Sequence, residues 1–166
     1  MSISDLQPGP EIPSNLGGMH TRDYSHFLPP KYCESYKLYA EHWPNWKHSL
    51  SVRLVSKKTG DKVGHIDAAT TRLGNGSWAI AISTSEVDSR LRGKGLGKAM
   101  YEALLSHGYF CMGLRYVSGY NHSSMAHNVH KSLCLKHGFV GYDPDQVGRT
   151  KGALDNAWDE YCYRLR

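Results

Sequence analysis

Residues 87–98 read VDSRLRGKGLGK and decide the fold, because three glycines join a strand-like stretch to a helix-like one. The glycines alternate with other residues, so the backbone can pass close to a ligand without a Cβ in the way. A helix that begins here directs unpaired N–H groups and its positive dipole end at the turn. Four cations surround the glycines: Arg90, Arg92, Lys94 and Lys98. The segment therefore predicts a cradle for a phosphate or pyrophosphate group.

Two common nucleotide-binding motifs do not fit this segment. A Walker loop needs four residues between its first glycine and its Gly-Lys pair, whereas three residues separate Gly93 from Gly97. Ala99 also stands where that loop needs a hydroxyl group for Mg²⁺. A dinucleotide fingerprint needs glycine at position 98, which is Lys98. The segment is therefore neither a Walker loop nor a dinucleotide fingerprint.

Strand patterns lie before the loop. Apolar residues predict strands over 50–56, 63–71 and 78–87, and the third is apolar enough to be central in a sheet. His65 and Asp67 point to the same side of the second strand because side chains alternate. They are either an acid–base pair or a strand couple without function.

Helical periodicity follows the loop. A helix is predicted from about Gly95 to His107, with Gly108 as its stop signal. A second helix is predicted to end at Gly138. Short strands are predicted at three further places: 114–119, 139–142 and 158–165.

The chain before the first of these strands divides in two. Residues 1–30 are rich in Pro, Gly, Ser and Asn, and predict an irregular arm with at most one short strand, which either wraps the domain or frays. Tyrosines recur at helical spacing over 31–42 and predict a helix. We therefore expect a single domain over 31–166, preceded by the arm.

Length and composition limit the class of protein. With 166 residues, of which 40% are hydrophobic, the chain suits one globular domain with one core. The net charge is +5, and residues 87–166 hold eleven Lys and Arg against seven Asp and Glu. This excess suits an anionic ligand, either a nucleotide-type cofactor or a nucleic acid.

The sequence also gives expectations about location. Its apolar runs are too short for a membrane span, and its first residues lack the basic start and apolar stretch of a signal peptide. Four cysteines lie far apart with no Cys-x-x-Cys pair, which predicts reduced thiols in a cytoplasmic protein.

The glycine segment resembles that of a known family. Arg92-Gly93-Lys94-Gly95-Leu96-Gly97 matches the pyrophosphate loop of the GNAT superfamily of acyl-CoA N-acyltransferases, which reads Arg/Gln-x-x-Gly-x-Gly/Ala. A looser match follows, because members close their next helix with Gly-Phe, here Gly138-Phe139. Counting back places His127, with Asn128 beside it, at the family's Asn position and Cys134 at its Tyr position. The resemblance covers roughly residues 50–142.

The resemblance implies a fold and a co-substrate. The expected fold is α+β, a three-layer α/β/α arrangement around a mixed, mostly antiparallel sheet of about six or seven strands, splayed at the cofactor site. Acetyl-CoA would lie in the splay, with its pantetheine paired to the backbone near Val87. The expected cofactor-binding residues are Val87, Arg92, Gly93, Lys94, Gly95, Leu96, Gly97, Lys98 and Asn128.

The resemblance leaves the catalytic groups open. In the family, bases often lie on the strand before the loop, on the side of its last Val, and here those positions hold Ser83 and Ser85. Glu86 points to the other face unless the strand bulges. The candidates are Glu86 or His127 as base and Cys134 or Ser85 as acid, with deprotonation through a water chain as the alternative.

Two other residue groups have alternative explanations. His127, His130, Cys134 and His137 would line one side of the second helix as a metal stripe, but the ligand count favours a site without metal. Tyr32, Tyr36, Tyr39, Trp43 and Trp46 could stack nucleobases, although aromatic residues at helical spacing more often form a core or pocket wall.

The predicted function is an acetyl-CoA-dependent N-acetyltransferase that moves an acetyl group to a primary amine. The acceptor is a small molecule or a protein, and a nucleic acid is an alternative that the CoA-binding cations do not favour. No membrane partner is expected, and a homodimer is suggested by analogy alone. The competing hypothesis is an acyl-CoA-binding or protein-binding module on the same fold that has lost catalysis.

Overall fold

A computed structural model describes residues 2–13, 18–45, 49–119, 124–143, 146–150 and 161–166. These residues form a sheet of ten strands and two α-helices. The strands are β1 (Glu11–Ile12), β2 (His20–Asp23), β3 (Tyr36–His42), β4 (Leu50–Ser56), β5 (Lys62–Arg72), β6 (Trp78–Val87), β7 (Tyr116–Gly119), β8 (Val140–Asp143), β9 (Gln146–Thr150) and β10 (Tyr161–Arg164). The helices are α1 (Leu96–Met112) and α2 (Ser124–His137).

The sheet has one parallel contact among its described strands. Its order is β1-β2-β3-β4-β5-β6-β7-β10-β8-β9, and every other neighbouring pair is antiparallel. The parallel contact joins β6 to β7, where Ala79 pairs with Tyr116 and Ile80 with Val117. No further ladder pair between the described parts of β6 and β7 follows Ile80, although β6 continues to Val87. The sheet therefore opens between these strands on the side of the glycine loop.

The predicted class, a mixed and mostly antiparallel sheet with helices, is confirmed, with more strands than the expected number. Both helices pack on one face of the sheet. Ile80 of β6 faces α1, whereas Tyr163 of β10 hydrogen-bonds to His130 of α2. Val117 of β7 pairs with both Ile80 and Tyr163, and paired residues of neighbouring strands point to the same face. Ile80 and Tyr163 therefore lie on one face of the sheet, together with both helices. The described residues thus form two layers, where three were predicted.

The helix predicted over 31–42 is wrong, because these residues begin with a turn and continue as a strand. Residues 30–32 form one 3-10 turn, and β3 follows it. Leu38, Ala40 and His42 are buried in alternation, which is the period of a strand with one face on the core. The tyrosine spacing that suggested a helix is therefore incidental, and pairing with β4 along all of β3 decides its structure.

Helix α1 does not end at Gly108 as predicted. It continues to Met112, and Gly113 with φ +72° terminates it. A Cβ on Gly108 would lie 2.5 Å from Cδ1 of Ile80. Gly108 is therefore a packing position, where only a glycine allows the helix to lie this close to the sheet.

The described part of residues 1–30 contains two strands, β1 and β2, where at most one was expected. Pairing with β3 extends the sheet through β2. Ile3, Leu6, Tyr24 and Leu28 are buried in the same core cluster as α1, so this segment packs against the domain. Two of the sequence predictions extend outside the described residues, at Trp46 and at residues 158–160 of the predicted closing strand. The segment that connects β9 to that strand also lies outside them. Within the described part of the chain, no helix has both the length and the hydropathy of a membrane span.

Candidate functional site

The glycine loop lies between β6 and α1, beside the opening in the sheet. It begins with a 3-10 turn over Ser89–Leu91, in which Asp88 accepts a hydrogen bond of 3.1 Å from the backbone N–H of Arg90. Gly93 and Gly95 then have φ values of +73° and +81°, in the left-handed region that other residues rarely adopt. Gly95 is the N-cap of α1, so the first unpaired N–H groups of that helix face the loop.

Gly97 is a glycine for a different reason. It lies in the first turn of α1 without a positive φ, and a Cβ there would meet no other atom within 4 Å. Inside a helix a glycine costs about 1 kcal/mol relative to alanine. The backbone needs no glycine here, and the space beside it is open. That space is what a ligand lying against the helix terminus would need, so the loop fits a pyrophosphate group.

The loop cations differ in their surroundings. Arg90 forms an ion pair of 3.2 Å with Asp88, and this hydrogen bonding lowers the pKa of the Asp88 carboxyl. Lys98 donates a 2.9 Å hydrogen bond to Ser132 of α2. Arg92 and Lys94 are exposed at the loop surface, and Leu96 is fully buried. Leu96 can therefore serve a ligand only through its backbone.

A β-bulge in β6 determines which side chains face α1. Asp67 pairs with Thr84 and Ala68 pairs with Ile82, so Ser83 is the extra residue. Beyond the bulge, Ser85 faces α1, where Tyr101 donates a 2.8 Å hydrogen bond to its hydroxyl. Thr84 and Glu86 therefore lie on the opposite face, which the described parts of α1 and α2 leave uncovered.

Two buried tyrosines lie at the opening between β6 and β7. Tyr101 of α1 is bonded to Ser85, and the phenol of Tyr161 of β10 lies close to the backbone of Ile82, beyond the last β6–β7 pair. Burial raises the pKa of both phenols. A Cβ on Gly119 would lie 2.9 Å from the Tyr161 hydroxyl, so the glycine leaves space for this ring. The opening thus contains phenol hydroxyl groups.

His65, Asp67 and Glu86 are titratable groups on the uncovered face. His65 Nε2 lies 3.7 Å from Asp67 Oδ2, and Thr84 donates a 3.2 Å hydrogen bond to the same oxygen. Glu86 pairs with His65 in the strand register. A depression of about 400 Å³ continues from this face to the loop, lined by Lys62, Glu86, Val87, Asp88 and Arg92.

Comparison with known proteins is consistent with this geometry. A model of the acetyltransferase (GNAT) family matches residues 19–139, which is most of the chain. The chain belongs to the acetyltransferase (GNAT) family. The match begins at residue 19, within the first fifty residues that the sequence resemblance left out, and it therefore includes β2 and β3.

Solved structures of acetyltransferases are similar to the chain at low identity. Arabidopsis thaliana NAA60 in complex with acetyl-CoA is 14% identical, with a TM-score of 0.49 over 74% of this chain and 78% of that one. The NatC complex bound to Gag peptide and CoA is 17% identical, with a TM-score of 0.47 over 69% of this chain and 69% of that one. An agmatine N-acetyltransferase is 15% identical, with a TM-score of 0.46 over 69% of this chain and 73% of that one. No protein in the curated set matches the sequence. These values leave the acceptor open.

The site residues predicted on α2 of this GNAT chain differ in exposure. Asn128 is exposed near the start of the helix, whereas His127 is 7% exposed. Cys134 is 1% exposed, and burial raises the pKa of its thiol to about 12. His130 bonds to Tyr163 at 2.8 Å and His137 bonds to Glu102 at 2.8 Å. Among the described residues, no three His, Cys, Asp or Glu side chains form a group that could hold a metal ion.

The structure brings together only part of the predicted set. Glu86, Val87 and Arg92 border one depression beside the loop. Ser85 lies on the other face, and Cys134 lies in the core. Sequence reasoning missed Tyr101 and Tyr161. Tyr101 is one turn beyond the loop and could have been inferred from the helical period, whereas no local pattern links Tyr161 to β6.

Proposed function

We propose that this protein is an acetyl-CoA-dependent N-acetyltransferase that transfers the acetyl group to a primary amine by direct attack on the thioester. The observation that supports this most is Gly97, a helical glycine beside open space at the N-terminus of α1, in a chain of the GNAT family. Acetyl-CoA would supply the activated acetyl group.

The loop residues have the binding role in this proposal. The backbone N–H groups from Arg92 to Lys98 bind the pyrophosphate, helped by the dipole of α1. Arg92 and Lys94 add positive charge at the loop surface. The backbone of β6 near Val87, which β7 leaves unpaired, binds the pantetheine, and Asn128 lies at the start of α2. Binding at these positions orients the thioester in the opening of the sheet.

Proton removal from the amine is assigned to the uncovered face. Glu86 borders the depression beside the loop and is paired with His65, which has Asp67 as its neighbour. A carboxylate or imidazole here accepts a proton from an ammonium group directly or through one water. His127 is less suited to this role because it is 7% exposed.

Proton supply to the thiolate is assigned to the hydroxyl groups of the opening. Ser85 and Tyr101 form a hydrogen-bonded pair that reaches from β6 to α1. Tyr161 adds a second phenol at Ile82. Phenols kept neutral by burial hold the proton that a departing thiolate needs. Cys134 is a weaker candidate, because its side chain packs in the core.

The first experiment measures transfer of label from acetyl-labelled acetyl-CoA into a whole-cell extract that is then separated into metabolites, protein and nucleic acid. The inactive variant is Gly95→Arg, which places a long cationic side chain at the helix cap. The matched control is Gly76→Arg, because Gly76 also has a positive φ but lies in the β5–β6 turn, where a Cβ would meet open space. Acetyl-CoA binding by all three proteins is measured by calorimetry.

Each outcome decides one part of the proposal. Label in one fraction, present with the control and absent with Gly95→Arg, supports catalysis and names the acceptor class. Binding of acetyl-CoA without transfer into any fraction favours an acyl-CoA-binding module. A wild-type protein that does not bind acetyl-CoA contradicts the proposal.

A further inference from the structure

A cavity of about 390 Å³ lies at the C-terminal end of α1, far from the glycine loop. The helix has 17 residues, so its two ends are separated by about 25 Å at the usual rise per residue. The volume is in the range of small-molecule pockets. Its walls include His42, Trp43, Pro44, Trp78, Cys111 and Met112.

A chain of buried hydrogen bonds leads to this cavity. The Tyr24 hydroxyl lies 2.8 Å from Nδ1 of His107, and Nε2 of His107 lies 2.8 Å from Nδ1 of His42. Tyr24 and His107 are fully buried and His42 is 8% exposed. Desolvation lowers the pKa of His42 to about 4 and that of His107 to about 2, so both rings are neutral near pH 7. A polar chain of this kind fixes the orientation of the last ring.

The protons of this chain can be ordered so that its end at the cavity is a donor. A neutral imidazole has one N–H, and its other nitrogen is an acceptor. When the Tyr24 hydroxyl donates to Nδ1 of His107, Nε2 of His107 donates to Nδ1 of His42. Nε2 of His42 then carries the proton and can donate to a ligand in the cavity.

The walls select the rest of such a ligand. Trp43 and Trp78 provide flat aromatic surfaces, and Met112 and Leu114 add apolar area. The Arg72 guanidinium lies 5.6 Å from the centre of the ring of Trp78, a residue of the cavity wall. None of the described residues that line the cavity is acidic. One oriented N–H donor, one nearby cation and aromatic walls favour an anionic, planar molecule.

We propose that this cavity is a second binding site, for a small aromatic carboxylate. The ring of the ligand packs against Trp78 and Trp43, and its carboxylate accepts a hydrogen bond from Nε2 of His42. The site is separate from the proposed acetyl-CoA site, so it does not depend on whether the protein transfers acetyl groups.

The test uses 4-fluorobenzoate as the probe and follows its binding to the full chain by fluorine NMR. We expect binding with a millimolar or lower Kd. His42→Gln and Trp78→Ala should each weaken it by about tenfold or more, because each removes one of the two recognition elements. Trp78 is 38% exposed, so Trp78→Ala retains the fold even if His42→Gln does not. His26→Gln, at an exposed histidine outside the cavity, is the matched control and should bind as the wild type does.

Alkylation of cysteines locates the bound probe without any mutation. Cys111 lines the cavity, whereas Cys33 is another partly exposed free thiol, beside the carbonyls of Ser25, Leu28 and Pro29. Bound 4-fluorobenzoate should slow the reaction of Cys111 with iodoacetamide and leave that of Cys33 unchanged. Absence of binding at millimolar probe, equal binding by Trp78→Ala, or binding that leaves Cys111 unprotected would each overturn the proposal.

Discussion

Gly108 of α1 and Ile80 of β6 are in such close contact that a Cβ on the glycine would lie 2.5 Å from Cδ1 of the isoleucine. The helix and the sheet therefore meet at a position without a side chain. We expect Gly108→Ala to lower the free energy of unfolding by about 1–3 kcal/mol, because the added methyl group overpacks the core. Urea unfolding measures this. An unchanged midpoint would show that the helix shifts without cost.

The same substitution at Gly97 should have the opposite effect on stability. Gly97→Ala fills open space in the first helical turn, so we expect it to stabilise the protein by up to about 1 kcal/mol. If a pyrophosphate lies against this backbone, the same methyl group weakens acetyl-CoA binding. Urea unfolding and calorimetry on one preparation test both parts. Greater stability with unchanged affinity would place the ligand elsewhere.

Removal of the Tyr101 hydroxyl should affect turnover more than binding. Tyr101→Phe breaks the 2.8 Å hydrogen bond to Ser85 but keeps the buried ring. Under the proposed function, we expect kcat to fall by about a hundredfold, the lower end of the range for a general acid, with little change in acetyl-CoA affinity. Steady-state kinetics with Tyr101→Phe, Ser85→Ala and the double variant measure this. If the two hydroxyls act as a unit, the losses are not additive. Full activity of Tyr101→Phe would assign the proton to another group.

Acid should destabilise the fold through three buried histidines. Burial lowers the pKa of His42, His107 and His130 from 6.5 to about 4, 2 and 3. Below pH 6.5 the unfolded chain binds protons that the folded chain excludes. The free energy of unfolding therefore decreases as the pH is lowered. Each histidine contributes up to about 1.4 kcal/mol per pH unit, and all three act between pH 6.5 and about 4. Urea unfolding across that range should show this slope, and His42→Gln should reduce it by one proton. A flat profile would contradict the neutral state of these rings.

Glu102 should matter more for stability than its lysine partner. This carboxylate of α1 is 6% exposed and accepts hydrogen bonds from Lys136 at 3.1 Å and from His137 at 2.8 Å. Glu102→Ala removes the acceptor of a buried imidazole, so we expect a loss of about 2–4 kcal/mol. Lys136 is half exposed, and Lys136→Ala should cost about 1 kcal/mol or less. Equal losses in thermal unfolding would contradict this order.

The sequence predicted the part of the fold in which local pattern and pairing agree. The predicted strands over 50–56 and 78–87 match β4 and β6, since hairpin turns and apolar alternation act on the same residues. The helix prediction for residues 31–42 was wrong because their tyrosines recur at helical spacing by chance. Pairing of β3 with β2 on one side and β4 on the other decides the structure there. The prediction that Gly108 ends the helix was wrong because the role of this glycine depends on its contact with Ile80, which lies 28 positions earlier in the chain.

The candidate site divides in the same way. The glycine loop was predictable because its backbone conformation and helix cap depend on adjacent residues. The bulge at Ser83 could not be predicted from adjacent residues, although it determines which faces of the sheet Ser85 and Glu86 occupy. Tyr161 could not be predicted either, since β10 reaches β7 only through the order of the sheet.

The position of β10 also has a consequence for synthesis of the chain. β10 is the last described strand in sequence, yet it lies between β7 and β8. While the ribosome makes the protein, the edge of β7 has no partner on that side, and Tyr161 is absent from the opening beside Ile82. An unpaired edge of this kind can associate with other chains. Among the described strands, β10 therefore brings both the missing partner of β7 and Tyr161 of the candidate site into place only after the other strands have been made.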